Sequence, residues 1–106
     1  MITTTTPNIE GKNIEQYYGV VSAEVIIGAN FFKDMLVVFV ILSVAAAVLT
    51  KKVLDEARQN AMQELIQKAQ AQAANAVPGI GPDFETVGAN GSMLMVVATG
   101  TAVRIN

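Results

Sequence analysis

Asp83 and Glu85 stand two residues apart in the run Asp83-Phe84-Glu85-Thr86-Val87. That spacing puts both carboxylates on one face of a β-strand. With Glu24 from a second predicted strand, they make an oxygen-donor set suited to a hard cation such as Ca²⁺ or Mg²⁺. A soft heavy metal asks instead for thiolate or imidazole. The chain of 106 residues contains neither cysteine nor histidine. Solvated strand charge is therefore the reading of the three acids, and neither a metal nor a cofactor is expected.

The same absences remove most catalytic chemistry. Thiol nucleophiles and imidazole bases are missing, and no serine or threonine has a recognisable base beside it. Lysines or paired carboxylates can serve as acids, bases or nucleophiles, but no spacing singles any out. Gly88-Ala89-Asn90-Gly91-Ser92 is glycine-rich, yet it precedes a strand rather than a helix. It reads as an Asn-Gly hairpin turn and not as a phosphate cradle. No enzymatic activity is expected.

Composition points to association. The apolar fraction is 52% and only 15% of residues are charged, against about 25% in typical soluble domains. At 106 residues this is one domain spanning 1–106, a size that buries only about two-thirds of its unfolded surface. The surplus apolar surface must enter a subunit interface or a membrane. Net charge is −2, and no basic run is present, which argues against nucleic acid. The N-terminus lacks the basic start and apolar core of a signal peptide. A cytoplasmic location is expected, with membrane association as the alternative.

Local patterns give an α+β order. Ile2 to Thr6 is β-branched and stops at Pro7, which suits a strand. A polar turn over 8–13 leads to a strand over 14–28, with Tyr17, Gly19, Val21, Ala23, Val25 and Ile27 on one face. Gly19 marks a bulge or a close backbone approach. Asn30 suits the N-cap of a helix starting at Phe31, and Asp34 is a first-turn acid favourable to the helix dipole. From Lys51 to about Ala76 a helix is predicted, its stripe made by Leu54, Ala57, Ala61, Leu65, Ala69 and Ala73 and widened by Met62 and Ile66. Glu64 and Lys68 form an i,i+4 pair on it. Pro78 and Pro82 confine the next segment to a loop or an edge strand. The apolar run from Met93 to Ala98, inside a strand over 92–105, belongs at the centre of the sheet or at a subunit contact.

Between Met35 and Thr50 there is no charged residue. Sixteen helical residues span about 24 Å, short of the roughly 20 residues that cross a bilayer comfortably. As a core helix the segment is too uniformly apolar, and as a membrane span it lacks an aromatic belt. A subunit interface centred on Leu36, Phe39, Val40, Ser43, Ala47 and Val48 fits best. In the alternative reading a membrane-inserted or membrane-associated, pore-like oligomer uses the same helix.

Ala23-Glu24, Gly28-Ala29-Asn30, Asp34, Ala57-Arg58, Asn90-Gly91-Ser92-Met93-Leu94-Met95-Val96 and Gly100-Thr101-Ala102-Val103 together resemble the YbjQ-like family of small bacterial proteins. The likeness runs through nearly the whole chain. It implies a dodecin-subunit-like α+β fold, an antiparallel sheet covered by a long helix or helical hairpin, and assembly into five-fold rings of identical subunits. Glu24 would then line the ring or serve as a ligand. The family carries a heavy-metal-binding label, which makes a weak metal-binding domain the second alternative function, although these residues give the label no support. Two departures stand out: Val38 to Thr50 is apolar where members carry a polar, glycine-rich connection, and Pro78, Gly81 and Pro82 interrupt a continuous family strand. Replacement at constant length suits either an engineered or a strongly diverged member whose helix buries against another subunit.

Overall fold

The computed structural model describes residues 1–28, 43–88 and 93–106, and for 43–50 the backbone path only. Its elements are β1 (Ile2–Thr3), β2 (Ile14–Ile27), α1 (Ser43–Ala71), β3 (Ala76–Val77), β4 (Gly81–Val87) and β5 (Met93–Ile105). The strands form one sheet in the order β1-β3-β5-β2, with β4 also paired to β5. Most neighbours are antiparallel, but β1 runs parallel to β3. The fold is therefore α+β with a mixed sheet, not a purely antiparallel one.

The α1 helix covers one face of this sheet. Ala57, Ala61, Leu65 and Ala69 are buried along it at spacings of four, as the predicted stripe requires. Ala61, Leu65 and Ala69 pack on Val21 and Ala23 of β2 and Ala98 and Ala102 of β5, with Tyr18, Val25 and Met62 at the margin. Most of these side chains are alanine or valine, so helix and sheet approach closely. Gly100 of β5 belongs to the same face. A Cβ built there would stand 2.6 Å from Val77 Cγ1 and 3.4 Å from the Pro78 carbonyl oxygen.

The helix ends at Ala71, not near Ala76 as the periodicity predicts. Ala73 turns left-handed at φ 68°. Its N–H donates to the Gln70 carbonyl at 3.0 Å, and the Ala74 N–H donates to the Ala69 carbonyl at 3.1 Å. These two bonds define a Schellman cap, usually built on glycine. Ala73 is therefore exposed rather than part of the buried stripe. Arg104 Nη1 closes the end by donating to the Ala73 carbonyl at 3.0 Å.

Asn75 then ties the chain to the sheet. The Ile105 N–H donates to Asn75 Oδ1 at 2.7 Å, and Asn75 Nδ2 donates to the Ile105 carbonyl at 3.0 Å. The predicted N-terminal strand is regular over only two residues. The segment nonetheless stays docked, because the Gly79 N–H donates to the Thr6 carbonyl at 2.8 Å and the Ile80 N–H to the Thr4 carbonyl at 3.0 Å. A second small cluster, Ala76, Val103 and Ile105, lies beneath Ile9 and Ile14.

The predicted helix start at Asn30 and Phe31, together with Asp34, falls outside the described residues. So does the Asn90-Gly91 turn, although the pairing of Val87 with Met93 makes β4 and β5 a hairpin.

Candidate functional site

The sheet face opposite α1 is half covered. Odd-numbered residues of β5 point to it, because their even-numbered neighbours Val96, Ala98 and Ala102 pack under the helix. At the Ile105 end the face is sealed by Ile9 and Ile14. Toward the Met93 end, Met93, Met95 and Val97 are half-buried. The register places Glu24, Val97 and Asp83 side by side across β2, β5 and β4, with Ile26, Met95 and Glu85 in the next row. Val20 is 80% exposed and Ile26 57% exposed. The patch is thus an apolar ridge, Val97 and Met95, flanked by acids on both outer strands. Such a centre and rim resemble a protein interface.

The pairing register also settles which strand edges are open. The Asn75 N–H donates to the Val103 carbonyl and the Thr101 N–H to the Pro78 carbonyl, so odd-numbered β5 residues bond toward β3 and β4. The Asn106 N–H donates to the Asn13 carbonyl on the opposite side. With antiparallel alternation, Val21, Ala23 and Val25 of β2 bond inward to β5. The backbone groups of Val20, Ser22, Glu24 and Ile26 therefore face the outer edge, which no strand among the described residues pairs. One of them has a side-chain partner: Lys68 Nζ donates to the Ser22 carbonyl at 2.8 Å. On β4 the same alternation turns the nitrogen of Pro82 outward, where its missing N–H removes no ladder bond. That edge strand tolerates the proline for this reason.

Beneath the helix-side surface lies an apolar groove of about 260 Å³ bounded by Thr3, Thr4, Arg58, Met62, Ile80 and Pro82. Arg58 is engaged twice, its guanidinium 5.6 Å from the Phe84 ring centroid and 3.8 Å from Asp55. Sequence reading missed this contact, since Arg58 and Phe84 are joined only by tertiary packing.

The predicted carboxylates share a face, as expected, but Glu24 and Asp83 lie on opposite sides of Val97. Among the described residues no group of three acids, histidines or cysteines is placed to hold a metal ion. Of the predicted interface residues, Leu36, Phe39 and Val40 fall outside the described residues. Ser43, Ala47 and Val48 lie in the first turns of α1. Among the described residues no helix is long and apolar enough to cross a membrane.

Among the described residues, a mixed sheet backed by a helix defines a small α+β protein. This chain belongs to the YbjQ family, whose profile, described as "Putative heavy-metal-binding", matches residues 1–106. It is 47% identical over 105 residues to a UPF0145 protein of Anoxybacillus flavithermus (strain DSM 21510 / WK1), covering 99% of this chain and 98% of that one. The fold matches the crystal structure of a DUF74-family protein of unknown function from Pediococcus pentosaceus ATCC 25745, with a TM-score of 0.62. That match covers 100% of this chain and 98% of the other at 19% identity, so it speaks for the fold alone.

Proposed function

We propose that this protein is a non-enzymatic subunit that assembles with copies of itself. The observation that carries the reading is the half-buried apolar Val97–Met95 ridge, with Glu24, Asp83 and Glu85 at its rim and the exposed Val20 and Ile26 beside it. Surface area supports it. A folded monomer of 11.2 kDa should expose about 5,700 Å², whereas this chain exposes 6639 Å². The excess, about 900 Å², is close to one partner's share of a standard interface, about 800 Å².

Five-fold closure is what the family resemblance implies. A closed ring lets one patch satisfy itself repeatedly without fibre growth. In this reading the apolar stretch over 35–50, centred on Leu36, Phe39, Val40, Ser43, Ala47 and Val48, packs against a neighbouring subunit within the ring or between rings.

Val97→Lys and Val40→Lys test the two surfaces separately. Each should cost several kcal/mol of assembly by burying an unpaired charge and should lower the sedimentation coefficient toward that of a monomer. An unchanged coefficient in both variants would remove these surfaces from the assembly.

A further inference from the structure

We propose that a second copy of this chain pairs along the outer edge of β2, antiparallel to it, about a two-fold axis at Ala23. The inference rests on the self-assembly reading and names a surface that reading does not use. The edge is long, and beyond the bulge the side chain that caps its backbone among the described residues is Lys68, at the Ser22 carbonyl. The strand contains neither proline nor lysine, whereas the β4 edge turns Pro82 outward and carries Asp83 and Glu85. Strands left this open are templates for pairing.

The centre of the pairing follows from the strand itself. A bulge between Tyr17 and Gly19 interrupts the ladder with β5, and beyond it the register is regular from Gly19 to Ile27. Gly19 has φ +117°. The midpoint of that regular run is Ala23. An axis there sets Val20 opposite Ile26 of the second copy, twice by symmetry, so two exposed apolar side chains cover each other. It also sets Ser22 opposite Glu24 of the second copy. That pairing leaves Glu24, the one acid of the regular run, opposite a neutral serine, while Lys68 reaches the Ser22 carbonyl from the helix side at 2.8 Å.

Neighbouring registers do worse. An axis at Ser22 faces Val20 with Glu24, and an axis at Glu24 brings two glutamates together, which is unfavourable for directly opposed residues. Pairing β2 with the β4 edge of another copy opposes Glu24 to a strand bearing Asp83 and Glu85 and loses one donor at Pro82. The Ser22 carbonyl has two lone pairs, so it can accept from the second copy's backbone while Lys68 stays in place.

The absence of native cysteine makes cross-linking a clean test. Val20→Cys, Ile26→Cys and the double variant are each treated in the full-length protein with a short bis-maleimide, and covalent dimer is read on a denaturing gel. Both positions are exposed in the subunit, so folding should be unaffected, which circular dichroism checks. The double variant should give strong dimer. Each single variant should give several-fold less, because the two copies of one residue lie about 20 Å apart along the strands.

Light scattering on the same samples separates two failures. An oligomer that does not cross-link in the double variant, or cross-links equally in the singles, overturns the β2 pairing and leaves self-assembly standing. A monomer overturns both.

Discussion

Gly100 shows how little room the helix-covered side leaves. A methyl group there meets Val77 Cγ1 at 2.6 Å and the Pro78 carbonyl oxygen at 3.4 Å, and the second of these is backbone. Gly100→Ala should therefore destabilise the subunit by about 1–3 kcal/mol, the range for overpacking. Adding Val77→Ala should recover part of the loss, since contacting residues do not add independently; urea denaturation of the single and double variants checks both. Asn75 acts by hydrogen bonding instead. Its amide makes two bonds to the Ile105 backbone, and removing one partner strands the other. Asn75→Ala should cost about 1–3 kcal/mol. Asn75→Asp keeps the acceptor for the Ile105 N–H but sets a carboxylate oxygen against the Ile105 carbonyl oxygen, so it should cost at least as much in the same assay. Neither role is legible in the sequence, because Gly100 and Asn75 acquire their partners from segments distant along the chain.

At the scale of elements, much of α1 was legible and its end was not. Ala57, Ala61, Leu65 and Ala69 follow the helical period, and all four are buried. Glu64 and Lys68 form the expected pair at 3.6 Å. The termination is hidden because an alanine, a strong helix former, occupies the left-handed position where glycine is the usual signal. Ala73→Gly should thus be stabilising. Relief of about 1–2 kcal/mol of left-handed strain exceeds the added unfolded-state entropy of about 0.4–1 kcal/mol. The expected net gain is about 0.5–1 kcal/mol, seen as a higher denaturation midpoint at unchanged slope. For β2 the sequence gives the strand and flags Gly19, but alternation alone puts Tyr17 on the buried face. The bulge reverses that assignment. Tyr17 is 67% exposed, and Tyr18 packs on the core. The parallel pairing of β1 with β3 has no local signature at all, being set by where the helix delivers the chain.

For the whole molecule, the shortage of charge anticipates a chain that hides its surface against something else. The central place expected for the Met93–Ala98 run is where β5 sits, with β2 on one side and β3 and β4 on the other. Among the described residues, α1 covers one of its faces along the Val97–Met95 rows, and Met95 and Val97 on the other are half-buried. The cross-strand neighbours of Val97 could not be foretold, since Glu24 and Asp83 reach it only through the register of two different pairings. Assembly is the central claim, and native mass spectrometry from detergent-free volatile buffer tests it most directly. The account predicts one discrete species whose mass is a multiple of five 11.2 kDa subunits. A single 11.2 kDa species that persists as concentration is raised would contradict it.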